Sequence, residues 1–184
     1  MLKACGLTAL GKYTLIVTEK PDAANRIAMA LDIAGKAKKT VDSGVPYYHA
    51  FRNGDLVIVP ALGHLYTVAS KEKAKRGYPV FDYHWVPRYL AERGASNIHA
   101  WLNVIAKLSE NAEEFVDACD FDLEGSIIGY SILKFACGRK EKIAKRMKAM
   151  LEKAPPSKKL LPLPEAVAAK AEAALDRLTM GGRP

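Results

Sequence analysis

Residues 120–125 read Asp-Phe-Asp-Leu-Glu-Gly, so Asp120, Asp122 and Glu124 stand at alternate positions. They fall between an apolar run, residues 114–119 (EFVDAC), and a segment of helical spacing, residues 125–135, in which Ile127, Ile128, Ile132 and Leu133 recur. Alternate side chains of an extended chain point the same way. Three carboxylates so crowded repel one another unless a cation sits among them. Hard oxygen ligands of this kind suit Mg²⁺, with waters or phosphate oxygens completing the shell. Other readings compete. Asp122 can be a helix N-cap with Glu124 at the positive end of the helix dipole, which accounts for one or two acids but not three in alternation. An EF-hand loop also begins D-x-D-x-D-G, but its twelfth position would be Ser131, and a strand rather than a helix precedes it. A solvated acidic turn remains open.

A second group lies near the start. Glu19-Lys20-Pro21 ends the apolar, β-branched run of residues 13–18 (YTLIVT), which reads as a short buried strand. Glu19 alone can be no more than a dipole partner for the helix that Pro21 opens. If strands 13–18 and 114–119 are parallel neighbours, Glu19 shares an edge with the acidic cluster and becomes a fourth carboxylate for acid/base work or metal binding. Lys20 is then placed to hold a phosphate as a point charge. Gly63-His64 follows a third apolar run, and a lone histidine by itself proves nothing.

The elements that must carry these groups alternate strand and helix, which points to an α/β fold. Ala23, Ile27, Ala30 and Leu31 follow Pro21 at helical spacing, with Gly35 as the expected stop. Residues 47–51 and 56–59 flank Asn53-Gly54, a two-residue hairpin signal. Residues 70–94 are basic and interrupted by Pro79 and Pro87, and read as a long ordered loop. Ile98, Leu102, Ile105 and Leu108 mark a helix ending near Asn111, and residues 139–153 are a basic helix candidate. We divide the chain into a tail (1–12), one domain (13–153) and a Pro-bracketed linker with an Ala-rich helix (154–184).

Composition sets the outer limits. The 184 residues carry 28 Lys+Arg against 20 Asp+Glu, a formal net charge of +8, which fits a nucleic-acid partner as well as a plainly basic protein. Lys71, Lys73, Lys75 and Arg76, and the run from Arg139 through Arg146 to Lys148, can track DNA phosphates or simply face solvent. Cys5, Cys119 and Cys137 contain no CxxC pair, which argues against a zinc ribbon or disulfide framework. No apolar run approaches the roughly 20 residues that span a bilayer, and residues 1–12 are too mixed for a secretory signal. A cytoplasmic protein is expected.

Taken in order, Glu19-Lys20-Pro21, Gly63-His64-Leu65 and Asp120-x-Asp122-x-Glu124-Gly125 resemble the TOPRIM domain of type IA DNA topoisomerases. Residues 78–87 (YPVFDYHWVP) resemble the segment those enzymes carry between the Gly-His and acidic motifs. Ser126 and Ile127-Ile128-Gly129-Tyr130 give the acidic motif an archaeal flavour, and Arg146-Met147-Lys148 is similar to the basic strand that follows the domain. The resemblance covers residues 13–148. It implies a Rossmann-like, mostly parallel sheet flanked by helices. It also implies Mg²⁺ at Asp120, Asp122 and Glu124, an acid/base or metal role for Glu19, and Lys20 and His64 close to a scissile phosphate of single-stranded DNA. In whole enzymes of this family a tyrosine in a separate, later domain attacks the DNA. Nothing in these 184 residues matches its surroundings, and Tyr130 sits at core helical spacing, so strand passage is not expected of this chain alone. Leu123 stands where many relatives have Arg, and Ser126 where many have a further Glu. A nuclease or primase-like phosphoryl-transfer enzyme, or a non-catalytic DNA-binding module, are the alternatives.

Overall fold

A computed structural model describes residues 11–70 and 83–146. Its sheet has six strands: β1 (Tyr13–Thr18), β2 (Lys38–Asp42), β3 (Val45–Phe51), β4 (Asp55–Pro60), β7 (Ala112–Asp117) and β8 (Lys145–Arg146), in the order β2-β3-β4-β1-β7-β8. Strands β4, β1, β7 and β8 run parallel, while β2 and β3 form antiparallel hairpins at one side. The fold is therefore α/β with a mixed sheet whose core is parallel. Two further strands, β5 (Tyr66–Ser70) and β6 (Tyr83–Pro87), form a separate antiparallel ribbon.

Both faces of the central strands are covered, which is why they read as continuous apolar runs rather than alternating ones. Ile16, Ile58 and Val116 pack beneath helix α1 (Pro21–Leu31) through Ala24, Ala28 and Leu31. Leu15, Val17, Val57, Val59 and Phe115 turn to the other face, under helices α3 (Asn97–Glu110) and α4 (Leu123–Ser131). Helix α4 continues as one π-helical turn, Ile132–Ala136. It lies close to the sheet at Gly129, where a Cβ would come within 2.4 Å of the Asp117 carboxylate.

Several expectations are corrected. Helix α1 stops at Leu31, four residues before Gly35, because Asp32 takes over its end: its carboxylate accepts from the Ala34, Lys36 and Phe51 amides. Residues 83–91, read as loop from the flanking prolines, form β6 and the short helix α2 (Arg88–Ala91). Pro87 is tolerated there because a two-stranded ribbon leaves N–H groups facing outward. The basic helix at 139–153 is not formed in its described part. Arg139 adopts φ 64° after Gly138, and Lys145–Arg146 pairs in parallel with Val116 and Asp117 instead. Tyr130 is not core: it is exposed, and its hydroxyl accepts from Lys134 Nζ at 2.7 Å. Lys71, Lys73, Lys75, Arg76, Lys148 and the tail beyond lie outside the described residues.

Burial makes one pH effect testable. Cys137 is buried against the π-helical turn, and that burial pushes its thiol up to about 12. A thiol that holds its proton longer when folded contributes stability below its unfolded value near 9. That stability is lost as pH rises through 12. Urea unfolding between pH 8 and 10.5 should therefore show stability falling by up to about 1.4 kcal/mol per pH unit for each proton so retained. Cys137→Ala should flatten that slope; parallel slopes for the two proteins would contradict the assignment.

Candidate functional site

The parallel pairing of β1 with β7 brings the two acidic groups together. Val17 lies opposite Asp117, so the segments that leave both strands, Glu19-Lys20 and Asp120 onward, emerge side by side at their C-terminal ends. This is the edge where open α/β sheets place ligands. The loop after β4 joins them: the amides of Ala61 and Gly63 donate to the carbonyls of Thr18 and Glu19, at 2.6 and 3.3 Å. That loop carries His64 to the same edge.

Glu19 is the buried member, 6% exposed. Its Oε1 lies 2.8 Å from Lys20 Nζ, and Lys20 Nζ lies 3.2 Å from Asp120 Oδ2, so one ammonium bridges the carboxylate beside it in sequence and one 100 residues away. Hydrogen bonding to Glu19 first, then to Asp120, raises the Lys20 pKa above its ordinary value. The other Glu19 oxygen, Oε2, is buried and has no hydrogen-bond partner. A buried acceptor without a donor costs about 1–3 kcal/mol, more when charged, and a cation beside it would remove that cost. His64 Nδ1 lies 3.6 Å from Glu124 Oε1.

Asp122 has a structural duty. It is the N-cap of α4, in extended conformation, and its Oδ1 accepts from the Gly125 amide at 2.7 Å. Strand β7 ends at Asp117, bends follow at Cys119, Phe121 and Asp122, and α4 begins at Leu123. Glu124 belongs to the first helical turn, and the strict alternation expected of the three acids does not persist. Among the described residues no three His, Cys, Asp or Glu side chains converge closely enough to hold a metal ion as they stand. The donor set nevertheless fits a hard divalent cation in chemistry. Lys20 pairs with Glu19 and Asp120, His64 stands near Glu124, Asp122 caps α4 between them in sequence, and one buried carboxylate oxygen lacks a partner.

Gly125 closes the motif for a steric reason: a Cβ there would meet the Asp120 carbonyl oxygen at 2.3 Å and its nitrogen at 2.8 Å. Two contributors had no signal in the sequence. Arg88 holds the histidine loop, its Nη1 donating to the His64 carbonyl at 3.1 Å and its backbone amide to Leu65 at 3.0 Å, while Glu92 pins its guanidinium at 2.8 Å. Asp117, buried beneath Gly129, accepts from the Cys119 amide at 3.1 Å and shapes the turn into the acidic segment. Leu123, the first residue of α4, is 78% exposed.

A central parallel sheet with acidic groups gathered at its C-terminal edge defines the class, and comparison agrees: the chain belongs to the Toprim domain family, whose profile matches residues 14–151. Its relatives are archaeal topoisomerases. It is 47% identical over 135 residues to the DNA topoisomerase 1 of Pyrococcus furiosus, covering 73% of this chain and 12% of that protein. It is 46% identical over 135 residues to that of Pyrococcus horikoshii, 73% and 19%. It is 47% identical over 136 residues to that of Methanocaldococcus jannaschii, 73% and 17%. The chain thus spans less than one fifth of the length of these relatives and is a Toprim domain related to type IA topoisomerase. No helix among the described residues is long and apolar enough to cross a membrane.

Proposed function

We propose that this chain is the metal- and phosphate-handling part of a type IA topoisomerase system. It binds Mg²⁺ and single-stranded DNA at the edge formed by Glu19, Lys20, His64, Asp120, Asp122 and Glu124, in the cytoplasm. The observation that carries the reading is the Glu19–Lys20–Asp120 bridge with its buried, unpartnered Glu19 oxygen: charge of opposite signs is assembled from two parallel strands where a phosphate and its counterion would sit. Kinship with DNA topoisomerase 1 supplies the substrate class.

In this reading Asp120, Asp122 and Glu124 would hold the ion. When bound, the ion supplies charge neutralisation and orientation of strand phosphates. Glu19, buried and anchored, holds or takes a proton at the scissile phosphate, and Lys20 contacts that phosphate as a point charge. Lys71, Lys73, Lys75, Arg76, Arg146 and Lys148 extend the strand's path. The attacking tyrosine comes from another segment or another chain.

Incubation with supercoiled plasmid tests this. With Mg²⁺ the plasmid should remain unrelaxed, while a single-stranded oligonucleotide is bound in Mg²⁺ and released by chelator and by salt. Nicking of the plasmid that requires Mg²⁺ and is lost in Asp122→Asn would instead make the chain a complete nuclease. Binding indifferent to the metal would leave a non-catalytic DNA-binding module.

A further inference from the structure

We propose that Lys20 has two stations. Its ammonium stands in for the cation between Glu19 and Asp120 until a divalent ion arrives, and then turns outward to a strand phosphate, so that metal occupancy sets the strand-binding charge of the site. The inference rests on the metal reading above and adds a competition to it.

Three features of the bridge point this way. Lys20 Nζ lies within 3.2 Å of oxygens from both carboxylates, which is the place a shared cation would take. The two ends of the contact are held very differently. The Glu19 side chain is 8% exposed and fixed at the mouth of β1, whereas that of Lys20 is 61% exposed, with a flexible four-carbon stem free to swing. The single ammonium also leaves the site undersatisfied, since Glu19 Oε2 remains buried without a partner. A divalent ion brings twice the charge to the same carboxylates, and two cations a few ångströms apart repel, so the lysine yields. The Lys20–Asp120 arm is exposed on both sides, and exposed ion pairs hold side chains weakly, which eases the exchange.

Once displaced, Lys20 is a positive charge free to meet a phosphate lying across the acidic edge. Metal binding therefore converts a self-neutralised pair of side chains into a basic contact for the strand. An apo site whose lysine is tied to its own carboxylates attracts nucleic acid less, which couples the two ligands with reciprocal effect.

The test uses the full chain, titrated with Mg²⁺ by calorimetry as wild type, Lys20→Met and Lys12→Met, the last removing equal charge from a remote ion pair with Glu113. The ¹⁵N-labelled lysine ammonium signals are followed in parallel, and Lys20 is assigned by its loss in Lys20→Met. Lys20→Met should bind Mg²⁺ roughly three- to tenfold tighter than wild type, with Lys12→Met unchanged. The Lys20 ammonium signal, slowed by its carboxylate partners, should be lost to water exchange as Mg²⁺ is added and return when a single-stranded oligonucleotide follows. Equal or weaker Mg²⁺ binding by Lys20→Met, an equal gain in Lys12→Met, or an ammonium signal unmoved while Mg²⁺ binds would overturn the exchange and leave the metal reading standing. Failure of wild type and Lys20→Met alike to bind Mg²⁺ would overturn both.

Discussion

Gly125→Ala should lose about 1–2 kcal/mol of folding stability and disorder the acidic segment, although alanine is intrinsically the better helix former. The two effects have opposite signs and their sizes decide the outcome. Within the first turn of a helix, replacing glycine by alanine is worth up to about 1 kcal/mol in the variant's favour. Against this, the new Cβ would stand 2.3 Å from the Asp120 carbonyl oxygen and 2.8 Å from its nitrogen. These are backbone atoms of the segment that follows β7, not the tip of a flexible chain, so the segment from Asp120 to Asp122 must move. Overpacking of this kind costs about 1–3 kcal/mol and more where backbone is involved. Thermal melting and urea unfolding measure the loss directly. A variant as stable as wild type, or more so, would mean that the close approach of α4 to Asp120 is wrong, and with it the geometry of the acidic edge.

The second large effect separates two duties of Asp122. Its carboxylate caps α4 by accepting from Gly125, and it also belongs to the proposed ion site. Asparagine caps as well as aspartate but carries no charge. Asp122→Asn should therefore fold with stability within a few tenths of a kcal/mol of wild type, while Asp122→Ala loses about 1 kcal/mol with the cap. Mg²⁺ affinity should fall tenfold or more in both, because a hard divalent ion depends on ligand charge. Stability that falls equally in the two variants, with Mg²⁺ affinity untouched, would reduce Asp122 to a cap.

What could be read without coordinates followed from burial. The run Tyr13–Thr18 and helix α3 were legible because each buries a continuous or periodic apolar surface in the two core clusters. The Asn53-Gly54 hairpin was legible through turn chemistry, and the structure places Asn53 at φ 55°. Strands β2, β5 and β6 were not, because edge strands carry mixed, exposed residues: Lys38, Lys39 and Val41 are all exposed, as are Val68, Tyr83 and Trp85. The π-helical turn after Ser131 left no trace either, since Ile132 and Leu133 bury equally well in an α-helix.

The candidate site divides the same way. That Glu19 and Asp120 are neighbours required only that two apolar strands pair in parallel, and residue chemistry supplied the rest. The division of labour among the acids was not legible. An Asp just ahead of a helical run reads as ligand or cap alike, and the choice is made by where α4 starts. Arg88 was hidden for a different reason: its partner is a backbone carbonyl, of His64, and backbone partners leave no pattern in side-chain spacing.

The central claim is that the edge holding Glu19, Asp120 and Asp122 binds a divalent cation that the strand shares. Calorimetric titration of Mg²⁺ into wild type and Asp122→Asn, at matched ionic strength and confirmed folding, tests it most directly. The account predicts a saturable site in wild type that weakens tenfold or more in the variant. Identical titrations, or no heat beyond dilution in either, would contradict it.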